Sequence, residues 1–151
     1  MSASGVASAH RYYDDSPYQG ELPEPRAFTR DLSFDVDSLA AMRRFLTAWA
    51  SEEMLASERA EELVLAINEL ASNSIRYGGG AGRLRAWRER DTLMCEVRDE
   101  GHITDPELGR RCPDVRQPNG RGLWLVNHLC DEVQIRSSRG GTAVRVHKQL
   151  A

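Results

Sequence analysis

Asn68-Glu69-Leu70-Ala71-Ser72-Asn73 lies inside a run whose stripe recurs with helical spacing at Leu63, Ile67, Leu70 and Ser74, flanked by Val64, Ala71 and Ile75. The run starts near Ser57, with Glu58 and Glu61 in its first turns, where a helix N-terminus favours negative charge. Gly78-Gly79-Gly80 stops it. Glu69 and Asn73 are four residues apart, so a helix places them one turn from each other, beside the stripe at the edge of the core. A carboxylate and an amide oxygen so arranged can hold a hydrated divalent cation and orient a proton acceptor beside it. An isolated pair of this kind is more often a solvated helix edge.

Two downstream blocks change that weighting. Val97-Arg98-Asp99-Glu100-Gly101 ends a strand-like run, and Asn119-Gly120-Arg121-Gly122-Leu123 opens a helix-like one. Gly120-Arg121-Gly122 supplies close backbone approach and a helix N-terminus for phosphate, and Arg121 can add a charge-assisted contact. Asp99 can accept from an exocyclic amine, Gly101 lets the chain lie against a ring, and Thr142 offers a hydroxyl on the same inward surface. Asn73 can give one oxygen to Mg2+, with waters and phosphate oxygens completing the octahedron. Glu69 can act as general base on a hydroxyl or position a water. Taken singly, a GxG or an Asp-x-Gly is usually a turn. Their order gives them meaning: helix, strand end, loop, helix start, strand, each residue type where an adenine nucleotide needs it. The constellation reads as a site for ATP and Mg2+. A P-loop of the GxxxxGK[ST] type is absent, because Lys148 follows no glycine loop.

The rest of the chain fits a single domain of 151 residues, able to bury roughly 68–70% of its unfolded surface. Residues 1–26 lack periodicity and read as a disordered tail, with Tyr12, Tyr13 and Tyr18 as a possible docking segment; residues 27–151 form the domain. Ala27–Phe34 alternates as a first strand with Phe28, Leu32 and Phe34 on one side. Asp35 or Asp37 then caps a helix carrying Leu39, Met42, Arg43, Phe45, Leu46 and Trp49. A hairpin follows, Arg83–Glu89 and Thr92–Asp99, with Leu93, Cys95, Val97 and Asp99 on one face. Residues 102–119 carry Pro106, Pro113 and Pro118 and read as a lid or insertion, whose Arg110, Arg111 and Arg116 either clamp phosphates or face solvent. A short helix, Gly122–Leu129, precedes a closing hairpin of Glu132–Arg136 and Thr142–Val146.

Composition excludes several classes. The net charge of −3 gives no basic field for nucleic acid. No apolar stretch approaches the roughly 18 residues of a membrane span, and the N-terminus has no signal-peptide pattern, so a cytoplasmic protein is expected. Cys95, Cys112 and Cys130 have no CxxC spacing and read as reduced thiols rather than a zinc site.

These blocks resemble the ATPase superfamily shared by gyrase, ninety-kilodalton heat-shock chaperones, histidine kinases and mismatch-repair ATPases, and within it the bacterial anti-sigma-factor serine/threonine kinases. The resemblance runs from about Ala27 to Lys148. Glu69-Leu70-Ala71-Ser72-Asn73 matches the Glu-x-x-x-Asn box, implying Glu69 as catalytic base and Asn73 as Mg2+ ligand. Asp99-Glu100-Gly101 matches the adenine box, Gly120-Arg121-Gly122-Leu123 the second glycine box, and Gly141-Thr142 the terminal strand with its adenine-side threonine. Two positions depart from the pattern: Ile103 replaces a second glycine, and Arg76-Tyr77 stands where histidine is frequent. The implied fold is α+β, a two-layer sandwich of a mixed, largely antiparallel sheet with helices on one face and ATP under a lid loop.

The implied function is that of an anti-sigma factor that phosphorylates its antagonist on Ser or Thr, with a sigma factor and the antagonist as protein partners and homodimerisation common in the family. A non-catalytic ATP-dependent binding switch is the alternative. The catalytic half of a histidine kinase is disfavoured, because the stretch before the first strand has no room for a dimerisation hairpin and His10 lies in no helical pattern.

Overall fold

The computed structural model describes residues 19–103 and 121–151. In chain order its elements are β1 (Arg30–Asp35), a 3-10 turn (Val36–Ser38), α1 (Leu39–Glu52), α2 (Ser57–Tyr77), β2 (Ala81–Glu89), β3 (Thr92–Asp99), α3 (Arg121–Leu129), β4 (Glu132–Ser138) and β5 (Gly141–Gln149). The strands form one sheet in the order β1-β2-β3-β5-β4. Each described pairing is antiparallel, so the parallel part of a mixed sheet is not found among the described strands.

Strand alternation divides the sheet into two unlike faces. On the inner face, Cys95 lies opposite Val146 and Val146 opposite Val133; one row along, Val97, Val144 and Ile135 stand side by side. These rows pack with Leu63, Ile67 and Leu70 of α2, Met42 and Leu46 of α1, and Leu123 and Val126 of α3 in one buried cluster. Burying each such side chain contributes about 1.5–3 kcal/mol. Helix α1 is tied to α2 at its rim, where Arg43 donates to Asn68 Oδ1 at 2.9 Å. At the far end of α2, Lys148 of β5 donates to Glu62 Oε1 at 2.7 Å and also to the Leu129 carbonyl, which explains a buried lysine on the inner face.

Asp35 is the cap expected before α1: its side chain accepts from the Asp37 N–H while Ser38 accepts from the Asp35 N–H, so the cap closes a 3-10 turn that leads into the helix. Strand β1 is shorter than its pattern. Phe28, expected on the inner side with Phe34, precedes the strand and is 89% exposed, whereas Phe34 is buried. Two prolines, Pro23 and Pro25, lie just upstream, and the ladder with β2 begins only at Arg30 opposite Ala86.

The outer face carries a buried ionic cluster. Glu96 is fully buried and accepts from Arg85, Arg98 and Arg145 at 2.8–3.0 Å. The Arg145 guanidinium also stands 4.9 Å from the Trp87 ring centroid, within cation–π range. Residues on the tail side of position 27 reach this face. Glu24 pairs with Arg85 at 3.7 Å, the Arg26 N–H lies 3.4 Å from Glu89, and Leu22 is buried. Burial pushes both described thiols up, Cys130 to about 12, so neither is a thiolate at neutral pH. Among the described residues no helix is long and apolar enough to cross a membrane.

Candidate functional site

The apolar rows of the inner face end in a polar one. Asp99 on β3 lies opposite Thr142 on β5, and Thr142 lies opposite Ser137 on β4. The last turns of α2 pass over this row, and a cavity of about 280 Å³ opens between them. Its wall includes Leu70, Asn73, Ser74, Tyr77 and Gly78 from α2 and its end, Asp99 and Thr142 from the row, Gly101 and Ile103 from the following turn, and Leu123 from α3.

Asp99 is held by neutral donors on both oxygens. The Ser74 hydroxyl donates to Oδ2 at 2.6 Å and the Gly101 N–H to Oδ1 at 2.7 Å. Each oxygen therefore keeps a lone pair for another donor. The carboxyl packs so closely on Gly78 that a Cβ there would fall 2.3 Å from Asp99 Cγ, which only glycine avoids. Thr142 donates to the Gly101 carbonyl at 2.7 Å, so the turn after β3 is tied to the row from both sides.

Asn73 immediately precedes Ser74 on α2 and faces the start of α3. A Cβ on Gly122 would approach Asn73 Nδ2 to 2.8 Å, so glycine at this position lets α3 begin against the amide. Arg121 is the first residue of α3 and Leu123 is buried in its first turn. Glu69 is half-buried on α2, outside the residues lining the cavity, and among the described residues makes no hydrogen bond or ion pair. Asn73, Asp99, Gly101, Gly122, Leu123 and Thr142 thus converge on one end of the sheet, with Glu69 one turn away. Gly120 and the arginines of the expected lid lie outside the described residues, as do residues 1–18 and Cys112.

Three residues of this end escape a reading by periodicity. Ser74 counts as a stripe position, yet it is 1% exposed, and a hydroxyl buried in an apolar stripe needs a partner; that need is the available signal. Gly78 reads only as a helix stop. Ser137 lies past the point at which β4 stops alternating clearly, and nothing in the sequence marks it.

A described sheet of five antiparallel strands, packed on one side by helices and ending in a pocket with an aspartate floor and a helix start at its mouth, defines an ATPase of histidine-kinase-like fold. The model of the histidine kinase-like ATPase domain matches residues 32–148, and the chain belongs to that family. Its fold implies ATP binding. Among solved structures, the chain is similar to the RsbU and RsbW domains of Rv1364c from Mycobacterium tuberculosis, with a TM-score of 0.61, 19% identity, and coverage of 82% of this chain and 33% of that one. A histidine kinase domain of the blue-light-activated kinase from Erythrobacter litoralis gives a TM-score of 0.53 and 17% identity over 74% of this chain and 65% of that one. The Acinetobacter baumannii histidine kinase AdeS gives 0.50 and 12% over 80% and 68%. The chain thus spans a third of the length of the first of these structures. No curated protein matches.

Proposed function

We propose that this protein binds Mg-ATP in the cavity between α2 and the polar row, and that it is an anti-sigma factor with serine/threonine kinase activity toward an antagonist protein. The observation that carries the nucleotide reading is Asp99, fixed by Ser74 and Gly101 with lone pairs left over at the base of a cavity. A carboxylate so held accepts from the exocyclic amine of adenine and repels the carbonyl of guanine. The start of α3 would offer backbone N–H groups to phosphate, and Asn73 beside it an oxygen to Mg2+. Among the described residues no group of three or more acidic, histidine or cysteine side chains could cage a metal. One amide oxygen suits an ion that keeps its waters and leans on phosphate oxygens.

In the kinase reading, Glu69 accepts the proton of a partner's Ser or Thr hydroxyl. As its oxygen bonds to the γ-phosphorus, the bond from phosphorus to the β–γ bridging oxygen breaks and ADP leaves. The family resemblance of the Glu69–Asn73 box supports this role, and with it a sigma factor and an antagonist as partners, a homodimer and a cytoplasmic setting. The position of Glu69 outside the cavity wall favours the second reading, a binding switch that takes up ATP without transferring phosphate.

Transfer of labelled γ-phosphate from Mg-ATP to proteins of the host lysate separates the two. A small labelled protein present with wild type and absent with Glu69→Gln supports the kinase. Proven ATP binding without any Glu69-dependent band assigns the switch.

A further inference from the structure

Two neighbouring rows on the outer face of the sheet treat charge differently. In sheet order from β1 to β4, one row runs Asp31, Arg85, Glu96, Arg145 and Gln134, and the next runs Ser33, Arg83, Arg98, Ala143 and Arg136. The first neutralises itself: Glu96 accepts from Arg85 and Arg145, and Asp31 stands opposite Arg85. The second carries guanidinium groups and no acid.

Arg83 and Arg98 are direct cross-strand partners, so like charges stand opposite each other, an arrangement that destabilises a sheet. Little in the chain relieves it. Arg98 donates through Nε to Glu96 Oε1 at 2.8 Å, an oxygen that Arg85 also uses, and its side chain is 49% exposed. The Arg83 side chain is exposed and makes no hydrogen bond or ion pair among the described residues. A hollow of about 740 Å³ opens beside the pair, lined by Ser33, Arg83 and Arg98 and also by Asp35 and Glu100. Among the described residues neither of these carboxylates forms an ion pair with the arginines. The basic groups are therefore confined to one row, bordered by Asp31 and Glu96 in the next row and by Asp35 and Glu100 at the sheet end. Such a strip fits carboxylates carried by a single extended chain, and its acidic borders repel the dense charge of a nucleic-acid backbone. The face already holds a segment of that kind. In the irregular stretch before β1, Leu22 is buried, and Glu24, flanked by Pro23 and Pro25, reaches to 3.7 Å from Arg85.

We propose that the Arg83–Arg98 pair is a docking site for an extended acidic segment of a partner protein, with one carboxylate seated between the two guanidinium groups. The site does not depend on the nucleotide reading of the cavity. A carboxylate there supplies the anion that the row lacks. Binding and folding consequently make opposite demands on Arg83, because the charge that recruits the partner weakens the unoccupied sheet.

The test uses fluorescein-labelled hexaglutamate as the probe, followed by polarisation on the full chain in low-salt buffer, with a labelled thymidine oligonucleotide for comparison. Wild type should bind hexaglutamate, more weakly as salt rises. Arg83→Ala should weaken binding about threefold to tenfold, the worth of one net hydrogen bond, whereas Arg83→Lys should keep most of the affinity. Arg83→Glu should abolish binding yet raise the thermal unfolding midpoint, because it sets a carboxylate opposite Arg98. An arginine with a merely structural role would not move the two readouts in opposite directions. Hexaglutamate binding that ignores Arg83, or a lower midpoint in Arg83→Glu, overturns the proposal. So does a wild type that binds no hexaglutamate, and so does tighter, Arg83-dependent binding of the oligonucleotide, which would make the strip a nucleic-acid contact.

Discussion

Strand β3 carries two carboxylates three residues apart, Glu96 and Asp99, and they live by opposite rules. Glu96 points to the outer face, is fully buried and is met by three guanidinium groups. Burial alone would push its carboxyl up, but the hydrogen bonds from Arg85 and Arg98 and the charge of Arg145 outweigh it and hold it below the usual carboxylate range. Asp99 points to the inner face, is half-buried and is met by a hydroxyl and a backbone N–H, with no cation within ion-pair distance among the described residues. The first is electrostatically saturated and has nothing left for a ligand. The second is oriented but unsatisfied. An acidic residue on a strand earns a binding role when its partners fix its position without using up its charge.

Removing each carboxylate in turn should separate stability from binding. Glu96→Ala leaves three arginines facing one another without their anion, and should cost about 3–5 kcal/mol of folding stability. Denaturant unfolding reads it, and a loss under about 1 kcal/mol would show that the arginines relax into solvent. Asp99→Asn keeps the shape of the side chain but presents an amide to the cavity. It should weaken ATP binding by about 2–3 kcal/mol, the scale of a hydrogen bond to a charged group, while the unfolding midpoint barely moves. Equal losses in both assays would make Asp99 a second structural carboxylate and erase the contrast. Ser74→Ala removes one of the two tethers of Asp99 and should weaken ATP by about 1 kcal/mol. An affinity unchanged by calorimetry would mean that the Gly101 N–H suffices.

The smallest effect concerns pH on the outer face. Burial lowers the pKa of His147 from 6.5, with Arg145 adding to it against the opposing charges of Glu132, Glu89 and Asp131. The unfolded chain therefore takes up the proton more readily than the folded one. This contribution to stability is present above pH 6.5 and is lost as pH falls toward the folded value. His147→Gln should flatten that slope, and a slope identical in both proteins would assign it elsewhere.

Much of this architecture is legible in the residues. Helix α2 runs Ser57–Tyr77 because its stripe and its glycine stop are both strong, and the β2–β3 hairpin turns at Arg90-Asp91 as the alternation demands. The convergence of Asn73, Asp99, Gly122 and Thr142 on one cavity end follows from the order of their blocks. Strand ends are less legible. Strand β5 continues to Gln149, past the last apolar residue of its pattern, because Lys148 is stabilised by Glu62, a partner 86 residues away. The outer-face cluster is invisible for a similar reason: alternating charges on a strand read as a solvated face, and only the sheet register brings Arg85, Glu96 and Arg145 side by side.

Strand β5 reaches both ends of α2, since Thr142 stands at the cavity under its last turns and Lys148 is anchored to Glu62 near its beginning. It is also hydrogen-bonded along both edges, to β3 and to β4. Tension applied at Ala151 would load it in shear, with both ladders and the lysine anchor resisting together. The same pull on β1, which pairs only with β2, would meet a single ladder. The cavity wall is thus mounted on an interior strand held by two ladders, unlike β1 at the sheet edge. Single-molecule pulling should record higher rupture forces from the β5 end than from β1, and equal forces would show that the two ladders do not act as one.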